Sequence, residues 1–243
     1  MRLHINVDHV ATLRNARGTS YPDPVLAARA CLDAGAHGIT AHLREDRRHI
    51  RDDDVERLRK TLTSVFNLEM AATDEMVAIA CRVRPDVVTL VPERREERTT
   101  EGGLEVAHAS PKLRAHVDAL RAAGIKVSLF IAPDLAQVDA SRAIGAEQVE
   151  LHTGEYAHAG DDASVTEREL ARLAGAAARG RELGLEVAAG HGLTTRNVVA
   201  LVAIPEIVEL NIGHAVIADS VFAGLAGAVG AMLAAIGEGR SRS

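Results

Sequence analysis

"PVLAARACLDAGAHGITAHL", residues 24–43, is the stretch whose reading decides the fold. Residues 24–34 are rich in Ala, Leu and Arg and read as a helix. "DAGAHG" follows, with Gly35 placed where a helix C-cap needs a left-handed residue. "GITAHL" (38–43) then reads as a strand. The same punctuation returns in "AAGIK", "AIGAEQ" and "ELGLE".

Working outward, further strands are expected at "LHINVD" (3–8), "FNLEMA" (66–71), "VVTLVP" (87–92), "KVSLFI" (126–131), "QVELHT" (148–153), "EVAAG" (186–190) and "IVELNIG" (207–213). Helical stretches follow at about 52–62, 73–83, 112–123, 134–144, 164–183, 194–202 and 215–236. Strand and helix alternate about eight times, the pattern of a single (β/α)₈ barrel domain with a few extra helices. A doubly wound open sheet is the alternative. It normally has fewer units and often a Gly-rich fingerprint, and neither G-x-G-x-x-G nor G-x-x-x-x-G-K-[ST] occurs here.

Composition bounds the function. The 243 residues are 47% hydrophobic but only 2% aromatic, so Ala, Val, Leu and Ile must fill the core. A net charge of −6 argues against general nucleic-acid binding. No apolar run is read as approaching a membrane span, and "MRLHINVDHV" lacks a signal-peptide pattern. Cys31 and Cys81 fall inside helical stretches and read as small buried hydrophobes in a reducing compartment, which places the chain in the cytosol. The tail 237–243, "GEGRSRS" from Gly237, is expected to be disordered.

Three connections exceed what a barrel needs: 9–23, 93–111 and 153–163. Long loops in a compact domain are commonly functional. The second contains "ERREERTTEGG" after the fourth strand and reads either as a lid closing over a site or as a solvated, charged surface loop.

Strand parity is informative. Leu3, Ile5 and Val7 oppose His4, Asn6 and Asp8. Ile39, Ala41 and Leu43 oppose Thr40 and His42. Phe66, Leu68 and Met70 oppose Asn67 and Glu69. Val149 and Leu151 oppose Gln148, Glu150 and His152, and Val208, Leu210 and Ile212 oppose Glu209 and Asn211. The apolar parity suits packing under helices. The polar parity must line the lumen and needs hydrogen-bond partners there.

Barrel active sites lie at the C-terminal strand ends. Those ends carry Asp8, His9, His42, Arg44, Glu69, Glu93, Glu150, His152, His191 and His214, with His49 close behind. "GHG" (190–192) and "NIGHA" (211–215) follow the seventh and eighth strands, where barrels commonly bind phosphate. Arg14, Arg17, Arg44, Arg47 and Arg48 suggest a second anion site, with some of them only solvating the surface or pairing with Glu45 and Asp46. Lys60, Lys112 and Lys126 all avoid predicted strand C-termini, which argues against a lysine Schiff base. No Ser or Cys sits on a nucleophile elbow. Proton transfer by His and Glu remains, suiting carbonyl, enamine and aldol-type chemistry.

"NVDHVATLRNARGTSYPDP", "HLREDRRHI", "NLEMA", "VPERREERTTEGGLEV", "LHTGEYA", "AGHGLT" and "ELNIGHA" closely resemble the pyridoxine 5′-phosphate synthase family, ring-closing enzymes of bacterial vitamin B6 synthesis. The resemblance covers nearly the whole chain, in order. It implies condensation of 3-amino-2-oxopropyl phosphate with 1-deoxy-D-xylulose 5-phosphate, releasing pyridoxine 5′-phosphate, inorganic phosphate and water, with no metal or organic cofactor. It implies that Glu69 and His42 accept protons and His191 donates one. It implies substrate contacts at Asn6, Asp8, His9, Arg17, Arg44, His49, Thr99, Gly192, Gly213 and His214, a closing lid at 93–103, and an octamer of four dimers. Two rival readings are a metal-dependent phosphosugar aldolase or isomerase using His42, Glu69, His152, His191 and His214, and a non-catalytic phosphometabolite-binding protein.

Overall fold

Each turn signal found in the sequence ends a helix that returns the chain to the next strand. Gly35, Gly124, Gly145 and Gly184 all take positive φ between a helix and a strand. At the other ends, Asp23, Thr73 and Asp162 accept hydrogen bonds from the first-turn amides of their helices, satisfying donors that would otherwise be orphaned.

The computed structural model describes residues 1–93 and 102–242. The strands are β1 (Arg2–Asn6), β2 (Gly38–His42), β3 (Val65–Ala71), β4 (Val87–Val91), β5 (Lys126–Ile131), β6 (Gln148–His152), β7 (Glu186–Gly190) and β8 (Ile207–Ile212). All pair in parallel, in chain order, and β8 closes on β1. The helices are α1 (Asp8–Arg17), α2 (Pro24–Asp33), α3 (Asp52–Thr61), α4 (Asp74–Val83), α5 (Pro111–Ala122), α6 (Leu135–Ala143), α7 (Gly154–His158), α8 (Ala163–Glu182), α9 (Val198–Leu201) and α10 (His214–Ser241). This is a (β/α)₈ barrel.

Leu3, Ile5, Ile39, Ala41, Phe66, Leu68, Met70, Val149, Leu151 and Leu210 are all fully buried. They form the continuous apolar layer between barrel and helices. The opposite parity fills the lumen with a hydrogen-bonded network. Thr40 Oγ1 donates to Asn211 Oδ1 at 2.8 Å, and Asn211 Nδ2 donates to Glu150 Oε2 at 2.7 Å. Thr89 Oγ1 donates to Asn67 Oδ1 at 2.9 Å. Gln148 Nε2 donates to Glu209 Oε1 at 3.0 Å.

Several local expectations need correction. Strand β1 stops at Asn6, so Asp8 and His9 open α1 instead of extending the strand. The connections read at 9–23 and 153–163 contain α1 and α7. Helix α1 also braces the site. Arg14 is buried, clamps Asp54 at 2.6 and 2.8 Å, and donates to the His49 carbonyl at 3.0 Å. The helix expected at 194–202 is confined to Val198–Leu201, because Thr194–Asn197 forms a side-chain-bonded turn.

The tail is helical through Ser241, where disorder was expected. Ser241 Oγ donates to the Glu238 carbonyl, and Arg240 reaches the Ile207 carbonyl on the barrel. Helix α10 also corrects the membrane reading: by length and composition alone it could cross a bilayer. Gly224, at φ 72°, breaks it, and neither part keeps the roughly 20 residues a span requires. Its second part buries Ala228, Val229, Met232 and Ile236 against the barrel's helices.

Candidate active site

The C-terminal strand ends open into a cavity of about 600 Å³. Its lining includes the three expected proton-transfer residues, His42, Glu69 and His191. Asn6, Asp8, His9, Arg44, His49, Gly192, Gly213 and His214 line it as well. Arg17 does not: it ends α1, exposed, outside the cavity. Thr99 and most of the expected 93–103 lid lie outside the described residues.

Glu69 and Glu150 both line the cavity. Glu69 sits on β3, and Asn6 Nδ2 reaches its Oε2 at 3.4 Å. Burial, then the negative charges of Glu150 and Asp8, push the Glu69 carboxyl well above the ordinary range, while the Asn6 bond pulls the other way. Burial and then Glu209 push Glu150 up to about 8, against the Asn211 bond. A carboxylate whose pKa is raised is a stronger base than an ordinary one.

Asp8 anchors the mouth. Its Oδ1 accepts the His42 backbone N–H at 2.8 Å, and its Oδ2 accepts from Asn6 Nδ2 at 2.9 Å. Asp8, His42 and Glu69 offer donor atoms within 4.8 Å of one another, so they could hold a divalent cation. Each of those groups already takes part in a hydrogen bond within the protein.

The glycines around His191 have a geometric cause. A Cβ on Gly190 would lie 2.3 Å from Glu150 Oε1, so the bare strand residue makes room for the carboxyl. His191 itself adopts φ 84°, uncommon for a residue with a side chain, and Gly192 follows at φ 75°. Thr153 Oγ1 ties this turn down through the Gly190 and His191 carbonyls, at 2.8 and 2.5 Å. The His152 ring lies 5.0 Å from His191 and edge-on to Phe130 at 5.4 Å. Burial, then His191 and His158, lower the His152 ring to about 4, so it is neutral at physiological pH.

The eighth loop presents the start of α10. Gly213 precedes His214 without a side-chain cap, and His214 and Ala215 line the cavity. His9 faces His214, with ring centroids 4.9 Å apart. Burial, then His214, lower the His9 ring, and Asp8 opposes this.

The arginine reading divides. Arg44 and Arg48 line the cavity. Arg14 and Arg47 serve the scaffold instead, Arg47 pairing with Asp52 at 3.0 Å and with Glu75 at 2.5 Å. Val91 and Phe130 also line the cavity, although parity did not single them out. Glu150 stood among the rim carboxylates without an assigned role.

Known proteins resemble this chain over nearly its whole length. Residues 3–238 match the family model described as pyridoxal phosphate biosynthesis protein PdxJ. The pyridoxine 5′-phosphate synthase of Xanthobacter autotrophicus is 57% identical over 243 aligned residues, covering 99% of this chain and 95% of that protein. The same enzyme of Roseobacter denitrificans is 56% identical over 234 residues, covering 96% and 94%. Among solved structures, thiamine phosphate pyrophosphorylase from Pyrococcus furiosus aligns with a TM-score of 0.63 at 15% identity, covering 98% and 96%. 3-Hexulose-6-phosphate synthase from Salmonella typhimurium aligns at 0.65 and 13%, covering 98% and 100%. At such identities these structures bear on the fold alone. The chain belongs to the PdxJ family of pyridoxine 5′-phosphate synthases, enzymes of vitamin B6 biosynthesis.

Proposed function

We propose that this synthase joins 3-amino-2-oxopropyl phosphate to 1-deoxy-D-xylulose 5-phosphate by proton transfer among Glu69, His42 and His191. The observation that carries this reading is the placement of two carboxyls with raised pKa, Glu69 and Glu150, in one cavity with His42 and His191. The substrate amine attacks the ketone and water leaves as the imine forms. Glu69 removes the proton that turns imine into enamine, and the carboxyl returns a proton as the ring closes. His42 takes a second carbon-bound proton as the enamine expels one phosphate, whose C–O bonding pair leaves on the phosphate oxygen, and His191 protonates the hydroxyl that departs as water when the ring closes. Glu150 stays protonated near neutrality and donates a hydrogen bond wherever negative charge develops beside it.

The α10 N-terminus, with Gly213, His214 and His9, suits one phosphate. Arg44, Arg48 and His49 suit the other. Arg17, implied as a substrate contact by the family resemblance, reaches a cavity only if a neighbouring copy supplies it. That agrees with a homo-oligomer, the octamer of the resemblance. Exposed Leu13, Tyr21, Leu26, Val221 and Phe222 supply apolar surface for such contacts; Phe222 is 93% exposed. Free Cys31 and Cys81 support a reducing, cytoplasmic setting.

The direct test mixes purified protein with both substrates, without added metal, and quantifies pyridoxine 5′-phosphate and phosphate. Equal appearance of the two is expected. The Asp8, His42 and Glu69 cluster supports a second, metal-dependent reading. Loss of turnover in chelator, restored by zinc, would favour that reading; unchanged turnover is expected.

A further inference from the structure

Glu93 lies two residues beyond β4 and does not line the cavity, yet its carboxylate bonds to a residue that does. Its Oε1 lies 2.8 Å from His42 Nε2, and its Oε2 accepts the Glu45 backbone N–H at 3.0 Å. The two side chains are 6% and 4% exposed, so water screens the pair little. The contact joins residues 51 positions apart, spanning from the end of β4 to β2 across β3.

Burial raises the Glu93 pKa, but bonding to His42, the His42 charge, the Glu45 amide and Arg44 outweigh it and hold the group ionised. An ionised carboxylate only accepts hydrogen bonds. His42 Nε2 must therefore carry the hydrogen, and in the neutral ring Nδ1 keeps the lone pair. Among the described residues, the other charged or titratable groups around His42 are Asp8 from α1, Glu69 from β3, and Arg44 and His49 from the loop after β2. Asp8 holds the His42 backbone; Glu93 holds the ring.

We propose that Glu93 is a positioning residue for His42, fixing the tautomer that leaves Nδ1 as the base and steadying the imidazolium formed when His42 accepts a proton. The inference rests on the reading of His42 as a proton acceptor. In that step a substrate proton passes to Nδ1 and its electron pair stays on the substrate. The Nε2–H bond to Glu93 persists throughout and becomes an ion pair.

The test measures kcat, KM and Tm for Glu93→Gln, Glu93→Asp and His42→Asn across the pH range of the folded enzyme. His42→Asn should abolish most turnover. Glu93→Gln should lower kcat on the order of 10²-fold with little change in KM. Glu93→Asp should recover part of the rate. A Glu93→Gln enzyme with native kcat, changed only in Tm, overturns the proposal while His42→Asn remains inactive. Native turnover in His42→Asn overturns the His42 reading and the Glu93 role with it. Nitrogen-15 NMR of the native His42 ring, assigned by its loss in His42→Asn, needs no Glu93 variant to fold. A proton on Nε2 is expected; a neutral ring protonated on Nδ1 overturns the proposal.

Discussion

The two ends of the barrel lumen use the same side chains to opposite effect. At the N-terminal end, Arg2 bonds both Glu186 and Glu209, and Lys126 bonds Glu186 at 2.7 Å. Burial raises the Glu186 pKa, but Lys126 and Arg2 outweigh it and hold the carboxyl below its ordinary range. At the C-terminal end, Glu69 and Glu150 have amides beside them, from Asn6 and Asn211, and further carboxyls nearby. Their pKa values rise. A cation opposite turns a buried glutamate into a fixed ion-pair partner; a neutral amide leaves it able to hold a proton. The first arrangement closes the floor of the barrel, and the second equips its mouth.

Breaking the mouth should have the largest effect. Glu69→Gln keeps shape and hydrogen-bonding capacity but cannot move a proton. Turnover should fall about 10³-fold or more, while phosphate binding, followed by calorimetry, stays near native. Near-normal turnover would remove Glu69 from the mechanism.

Next comes Gly190→Ala, which sets a methyl group against Glu150 Oε1 at 2.3 Å and the Asn211 carbonyl at 2.8 Å. Stability should drop by about 1–3 kcal/mol in denaturant titration. Activity should fall with it, because the displaced group is Glu150. A stable, fully active variant would show that the mouth adapts freely.

The pH dependence of stability sharpens the contrast. Glu150 titrates at about 8 in the folded chain and in the ordinary carboxylic range when unfolded. The folded state thus retains a proton that the unfolded state releases. Its contribution is fully present below the unfolded pKa and declines until pH passes about 8. Glu150→Gln should flatten this decline, whose size is on the order of a few kcal/mol. An unchanged slope would place the proton elsewhere.

The floor should yield the smallest change. Arg2→Ala removes a half-exposed cation from a pair of carboxylates, costing about 1 kcal/mol, with kcat unchanged. A large loss of kcat would mean that the two ends of the lumen are coupled.

The polar lumen was legible in the chain, but the contrast between its two ends was not. The polar parity of Asn6, Thr40, Glu69, Glu150, Glu209 and Asn211 requires a bonded lumen once helices cover the other face. The glycine stops made the barrel readable. Strands β4 and β5 were harder, because Val91 and Phe130 are apolar residues on the same parity as Thr89 and Ser128, so they went unnoticed as lining. Helix α1 was hidden because Val7 offers no capping side chain and the helix buries few apolar residues, Arg14 among its buried positions. The Glu93–His42 bond depends on strand register across an intervening strand, which local pattern does not encode. Arg14 and Arg47 looked like anion binders because sequence gives charge and position but not partners.

The measurement closest to the central claim is a pH titration of glutamate carboxyls by isotope-edited infrared spectroscopy, comparing native protein with Glu150→Gln. The account predicts a protonated carboxyl at neutral pH in the native protein, losing its proton near pH 8 and absent from the variant. Glutamates fully ionised below neutral pH in both proteins would contradict it, and the mouth of the barrel would then be no different from its floor.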